Sequence, residues 1–211
     1  MVSMRGVKIL IVDMDNTICD TFHTLSKRQW ESVVKTLEKR GYTTQAAVFK
    51  RKLGKQSFKT TLEQAKLPTE AQLAAMQAYD DLDVKHLKLY SDAKAILDLD
   101  IPKVLVTRGD KKLQAAKIRH LGIAKRFKRI YYVPTMEKKE AALKQVLKDF
   151  KVKPKECLVI GDRIEEEILE GMKLGMLTAL IDRPDWPTHR IAKPTISAKS
   201  LYVIADRLRH V

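Results

Sequence analysis

Two carboxylates spaced two residues apart, Asp13 and Asp15, stand where the aliphatic run Ile9-Leu10-Ile11-Val12 stops. Two later runs end in a similar way. Lys103-Val104-Leu105-Val106 closes on Thr107, and Cys157-Leu158-Val159-Ile160 closes on Gly161-Asp162. Carboxylate, hydroxyl and carboxylate brought to one edge would form a hard-oxygen site suited to Mg2+, which takes few carboxylates, several waters and a phosphate oxygen. The expected ligands are Asp13, Asp162 and a backbone carbonyl near Met14. With its charge shielded, Asp13 could attack a phosphoryl phosphorus. Asp15 could protonate the leaving oxygen and then activate water. Thr107 would hydrogen-bond a phosphoryl oxygen, and Lys138 or Lys139 would neutralise the transferring group. Each residue alone also fits an ordinary turn. The five histidines are dispersed and the two cysteines show no CxxC spacing, so zinc has no ligand set.

These residues need elements to carry them. Continuous aliphatic runs with β-branched residues read as strands buried on both faces, whose carboxyl ends are where open α/β sheets place ligands. Strands are expected at residues 8–12, 103–107, 129–133, 157–161 and 177–181. Between them, helical spacing covers residues 91–99, 110–121, 138–150 and 165–174. Repeated βα units of this size imply a doubly wound, parallel α/β sheet. A short extended piece and a last helix are expected in residues 195–210, after an irregular Pro-rich loop at 183–194. Residues 20–88 instead carry several helices, at about 24–40, 45–53, 57–66 and 69–79, and no convincing strand. That is too much helix for one crossover, so the expected organisation is a Rossmann-like core of residues 1–19 and 89–211 with an inserted α-helical module at 20–88.

Bulk composition sets outer limits. The chain has 211 residues, 45% hydrophobic and 32% charged, which suits a globular protein. No stretch approaches the ~20 apolar residues of a membrane span. Nothing at the N-terminus resembles a signal peptide and the cysteines are sparse, so the expected location is the cytoplasm with both thiols reduced. The net charge of +15 attracts anions without naming them.

Taken together, Asp13-Met14-Asp15-Asn16-Thr17, Thr107, Lys138 and Gly161-Asp162-Arg163-Ile164-Glu165-Glu166 resemble the four motifs of the haloacid dehalogenase superfamily, over essentially the whole chain. The resemblance implies a Mg2+-dependent phosphatase with Asp13 as nucleophile and Asp15 as general acid/base. It implies Asp13, Asp15, Asp162 and Glu166 around the metal, with Glu165 the alternative to Glu166. Lys138 is preferred to Lys139 because the family lysine usually opens its helix. Thr17 and Arg108 join the substrate-binding residues. The insert resembles the family's α-helical cap of the first type. The family's dehalogenases lack an acid at the position of Asp15, so its presence favours phosphate ester hydrolysis over dehalogenation.

Substrate choice is then expected in the cap, where Arg51, Lys55 or Gln56 would reach the leaving group of a small anionic ester. The partner is a small phosphorylated metabolite, and the protein a monomer or homodimer. A rival reading keeps the fold as a binding protein, because residues 111–129 hold eight Lys/Arg and no acid, a possible nucleic-acid footprint.

Overall fold

A computed structural model of the chain describes residue 4 and residues 6–53, 55–81, 83–183 and 191–209. Six parallel strands form one sheet in the order β3-β2-β1-β4-β5-β6. They are β1 (Ile9–Val12), β2 (Lys103–Arg108), β3 (Arg129–Val133), β4 (Cys157–Gly161), β5 (Leu177–Ile181) and β6 (Ile196–Ala198). β1 sits centrally, with Val12 paired to Leu105 of β2 and to Ile160 of β4. The chain winds outward from β1 first one way and then the other, so the sheet has its topological switch point between β1 and β4.

The alternation of side chains explains why the strands are apolar throughout. Leu10, Val12, Leu105, Leu158 and Ile160 face one layer; Ile9, Ile11, Val104, Val106, Cys157 and Val159 face the other. The first layer is closed by α5 (Lys94–Leu97), α6 (Lys111–His120) and α9 (Leu201–Arg209), through residues such as Ile96, Ile118 and Ile204. The second is closed by α7 (Glu140–Phe150) through Leu143 and Val146, with α8 (Leu169–Lys173) beside it. The Pro-rich loop expected at 183–194 falls largely on residues 184–190, outside the described residues.

Between β1 and β2, α1 (Lys27–Lys39), α2 (Thr43–Lys52), α3 (Phe58–Gln64) and α4 (Thr69–Asp80) bury an apolar cluster of their own. Its centre is aromatic: Trp30 and Phe49 meet edge to face at 5.6 Å, and Phe58 stacks on Tyr79 at 3.9 Å. The chain leaves and re-enters the sheet layer through two adjacent connectors. Asp20 N–H donates to Lys88 O and Tyr90 N–H donates to Ile18 O.

Phe49 is fully buried at the centre of this helical cluster. Phe49→Ala is expected to destabilise the helices by about 3–5 kcal/mol, read by urea unfolding. A loss under ~1 kcal/mol would mean that the cluster does not hold them together.

Candidate active site

The strand ends define the site. Asp13 follows β1 and Asp162 follows β4, so they flank the switch point. Thr17, fully buried, lies 3.0 Å from Asp13 Oδ2 and 3.1 Å from Asp162 Oδ1 through its hydroxyl, which donates to either carboxylate. The turn that brings Thr17 back needs a left-handed residue at Asn16 (φ 59°). The one asparagine of the chain fills it, a residue type that tolerates this conformation, and its Oδ1 accepts from Phe22 N–H. The same turn consumes the Met14 carbonyl, which accepts from the Ile18 and Cys19 N–H groups.

Lys139 Nζ donates to Asp13 Oδ1 at 2.5 Å and to Glu167 Oε2 at 2.9 Å. Asp13, Asp162 and Glu167 form a buried group whose ligand oxygens lie within 4.8 Å of one another. Three carboxylates against one ammonium leave two negative charges uncompensated. Burial pushes the Asp13 carboxyl up to about 6, with Lys139 pulling the other way. Burial, then Glu167 and Asp13, hold Asp162 well above the usual carboxylate range. Asp162 Oδ2 finds no partner among the described residues. The charge deficit, the oxygen donors and the unpartnered oxygen fit a divalent cation.

Asp15 stands apart from this group. Lys117 Nζ donates to its Oδ1 at 2.9 Å and Gln114 Nε2 to its Oδ2 at 2.8 Å, both from α6, and the Thr21 hydroxyl adds a third bond. Burial acts upward on this carboxyl, but Lys117, Thr21 and Gln114 outweigh it and hold it below its ordinary value. Gln114 approaches so closely because residue 109 is glycine. A Cβ there would meet its amide nitrogen at 2.8 Å.

The expected residues therefore divide. Asp13, Asp15, Arg108, Asp162 and Glu166 line one cavity of about 120 Å3. Thr107, the penultimate residue of β2, is fully buried and off the cavity lining, with a hydroxyl that finds no partner among the described residues. Thr17 lies beneath the carboxylates rather than on the cavity wall.

Four expectations need correction. Lys138 is exposed and Lys139 is the buried lysine, because α7 starts at Glu140 and Lys139 occupies its N-cap position. Glu165 is exposed. Glu166 turns to Arg108 (2.6 Å) and Arg163 (3.2 Å), which outweigh burial and bring its carboxyl down to about 2. Glu167 takes the place beside Asp162: the backbone kinks at Glu166, and Gly161 leaves room that a Cβ would fill, 2.3 Å from Glu167 Cγ. Asp15, bound to α6, lies outside the cluster of Asp13, Asp162 and Glu167. Arg51 and Lys55 are exposed and off the cavity, whereas Gln56 lines it.

Sequence reasoning missed Lys117 and Gln114, read as part of a cationic surface helix, and Lys59, which lines the cavity from α3. It also missed Arg183. Its guanidinium donates to both Asp92 oxygens at 3.0 Å and to Thr17 O at 2.7 Å while lying 3.8 Å from the Tyr90 ring centroid. The useful signal for Lys117 was its spacing, three residues after Gln114 on one helix face.

A doubly wound parallel sheet with acids from two strand ends at its switch point is the frame of an α/β enzyme. The model of the haloacid dehalogenase-like hydrolases matches residues 7–175, and the chain belongs to that family of hydrolases. Comparison with curated protein sequences gives no match. Among solved structures, a protein from Clostridium difficile assigned as a phosphatase is similar at 20% identity and a TM-score of 0.73, covering 97% of this chain and 99% of that one. One assigned as a phosphoglycolate phosphatase, from Lactobacillus plantarum, is 14% identical at a TM-score of 0.71, covering 96% and 99%. YfnB of Bacillus subtilis, assigned as a hydrolase of the same superfamily and determined bound to magnesium, is 17% identical at 0.66, covering 97% and 99%. At these identities the likeness is one of fold.

Two measurements follow from this geometry. Lys139→Ala is expected to lower hydrolysis by roughly 100-fold or more, as removal of a group that meets developing charge does. Lys138→Ala, Arg51→Ala and Lys55→Ala are expected to stay within about twofold. The reverse ranking in a phosphate-release assay would discard the Lys139 assignment. The second measurement is pH-dependent. Groups raised in the folded state favour folding below their unfolded pKa and lose that contribution as pH rises through the folded value, about 6 for Asp13. A divalent cation replaces those protons. Added Mg2+ is therefore expected to raise the melting temperature more at about pH 7.5 than at about pH 5. Equal shifts at both would count against the carboxylate group as the metal site.

Proposed function

We propose that this hydrolase is a Mg2+-dependent phosphatase that removes the phosphoryl group from a small phosphate monoester through an aspartyl-phosphate on Asp13. The observation that carries the reading is the buried, unpartnered Asp162 Oδ2 in one cluster with Asp13, the carboxylate that the buried Lys139 touches. A divalent cation held by Asp13, Asp162 and Glu167 would neutralise the carboxylates and the phosphoryl oxygens.

The chain's own residues do the rest. An Asp13 oxygen forms a bond to phosphorus while the bond from phosphorus to the ester oxygen breaks, and Asp15 gives that oxygen its proton. Water then attacks the phosphorus of the aspartyl-phosphate. Asp15 takes the water proton, the Asp13–phosphorus bond breaks, and inorganic phosphate leaves. Lys139 offsets charge on the transferring group and Thr107 donates to one of its oxygens. Thr17 holds the two carboxylates in register. Residues 20–88 act as the cap, which excludes water when closed. The three donors on Asp15 favour the carboxylate that the second half needs. The proton it gives the leaving oxygen is therefore one it first takes from the monoester's own phosphoryl hydroxyl, and the proton it takes from water leaves with inorganic phosphate.

The likeness to proteins assigned as phosphatases supports this reading. Three of the eight basic residues behind the nucleic-acid alternative pair with acids of the chain itself. Of the eight basic residues in 111–129, Lys117 is buried on Asp15, Arg126 pairs with Asp98, and Arg129 pairs with Asp149. Among the described residues no helix is long and apolar enough to cross a membrane.

Purified protein is expected to hydrolyse para-nitrophenyl phosphate with Mg2+ and to lose at least about 1000-fold in Asp13→Asn, as loss of a nucleophile does. Activity that survives Asp13→Asn would sink the covalent mechanism. Salt-sensitive binding of nucleic acid with no hydrolysis would sink the enzyme reading.

A further inference from the structure

The cations that line the cavity are not equivalent. Lys139 is bonded to Asp13 and Glu167, Lys117 to Asp15, and Arg108 and Arg163 share Glu166. Lys59 is different. Its ammonium reaches from α3 across the cavity edge to the sheet layer and donates to the Met136 carbonyl at 2.8 Å. Among the described residues it is the cavity-lining cation whose bond goes to a neutral oxygen. A carbonyl holds an ammonium less strongly than a carboxylate does, so an incoming anion would displace it.

The other polar groups on this side of the helical layer are already used. Gln56 donates to Thr61 and Gln64, and the Ser57 hydroxyl accepts from Thr60 N–H at the start of α3. Around them the wall is apolar, with Trp30, Leu53 and Phe58. Asp80 also lines the cavity, but its electrostatic neighbours are Asp110 and Lys117, on the α6 flank. Lys59 stands on the opposite flank, against the loop from β3 to α7. Met136 is three residues before Lys139, so an anion held by Lys59 shares the small cavity with the phosphoryl group. A volume of about 120 Å3 is below that of an engineered cavity that holds benzene, roughly 150 Å3. The cavity is open on one side, so this volume counts only its walled part, which suits the compact, charged end of a short leaving group.

Building on the phosphatase reading, we propose that Lys59 is a specificity-determining residue for short phosphate monoesters whose leaving group ends in a carboxylate. In the free protein the same lysine closes the helical layer onto Met136. Binding exchanges that bond for one to the substrate carboxylate.

The test compares 3-phosphoglycerate with glycerol 3-phosphate, which differ in a carboxylate against a hydroxymethyl group. Wild-type protein is expected to favour the former by at least about tenfold in kcat/KM, the scale of one charge-assisted hydrogen bond. Lys59→Met should lower that value by about 10- to 100-fold while the glycerol ester stays within about twofold, and Lys59→Arg should restore most of the preference. Calorimetric binding of both esters to Asp13→Asn protein, with and without Lys59→Met, reads recognition without turnover and should show the same difference. No preference in the wild type, or an equal loss on both esters in Lys59→Met, overturns the proposal and makes Lys59 a closing contact only. Absence of hydrolysis with selective binding intact would instead overturn the phosphatase reading alone.

Discussion

Everything at the switch point depends on the burial of more negative than positive charge around Asp13. Lys139 bonds Asp13 and Glu167, yet Asp162 remains beside them with one oxygen unmatched. Isolated carboxylates in such surroundings take up protons or find counter-ions, because desolvation strongly disfavours the charged form. The upward displacement of Asp13 and Asp162 is the imprint of that deficit. A site built this way is electrostatically incomplete, and its buried oxygens are of the kind that could hold a divalent cation.

Holding like charges together takes bracing, and the braces come from distant parts of the chain. Thr17 joins the two carboxylates from below. Its own backbone is held by Arg183, which Asp92 anchors bidentately and Tyr90 covers. Asp92 in turn accepts from Leu201 N–H at the start of α9, so the last helix is tied to the first loop. Asp15 is fixed separately by α6. The result is two neighbouring acids in opposite environments: Asp13 is short of positive charge, and Asp15 is saturated with donors. Environments that push two carboxyls apart are how one site assigns them different roles.

The helical layer meets this frame at few points. It joins the sheet through two antiparallel connectors and carries its own aromatic core, so its internal packing does not depend on the strands. Lys59 makes a direct polar contact from it to the loop that precedes Lys139. A second layer with its own packed core can present different side chains to an unchanged sheet, which separates what it adds to the cavity lining from the acids at the strand ends.

The strands and most helices were legible in the sequence because their signals are local. A run buried on both faces is apolar at every position, as in residues 9–12 and 157–160, and Asp13, Thr107 and Asp162 are found by reading where such runs stop. The residue-by-residue assignment within helical turns was not legible. Adjacent positions differ by about 100° in direction, and two backbone features set the phase: the start of α7 at Glu140, which leaves Lys139 as the lysine on Asp13, and the kink at Glu166, which turns Glu167 to the cluster with Asp13 and Asp162. Lys117 was harder still, since its partner Asp15 lies 102 residues away and nothing local distinguishes a buried lysine from a solvated one. The sequence by itself determined the strand ends and the acids and hydroxyl placed on them, through short-range hydrophobic patterning. Only the tertiary structure decided which cation meets which acid, because that pairing depends on long-range contacts and on which few charges the fold shuts away from water.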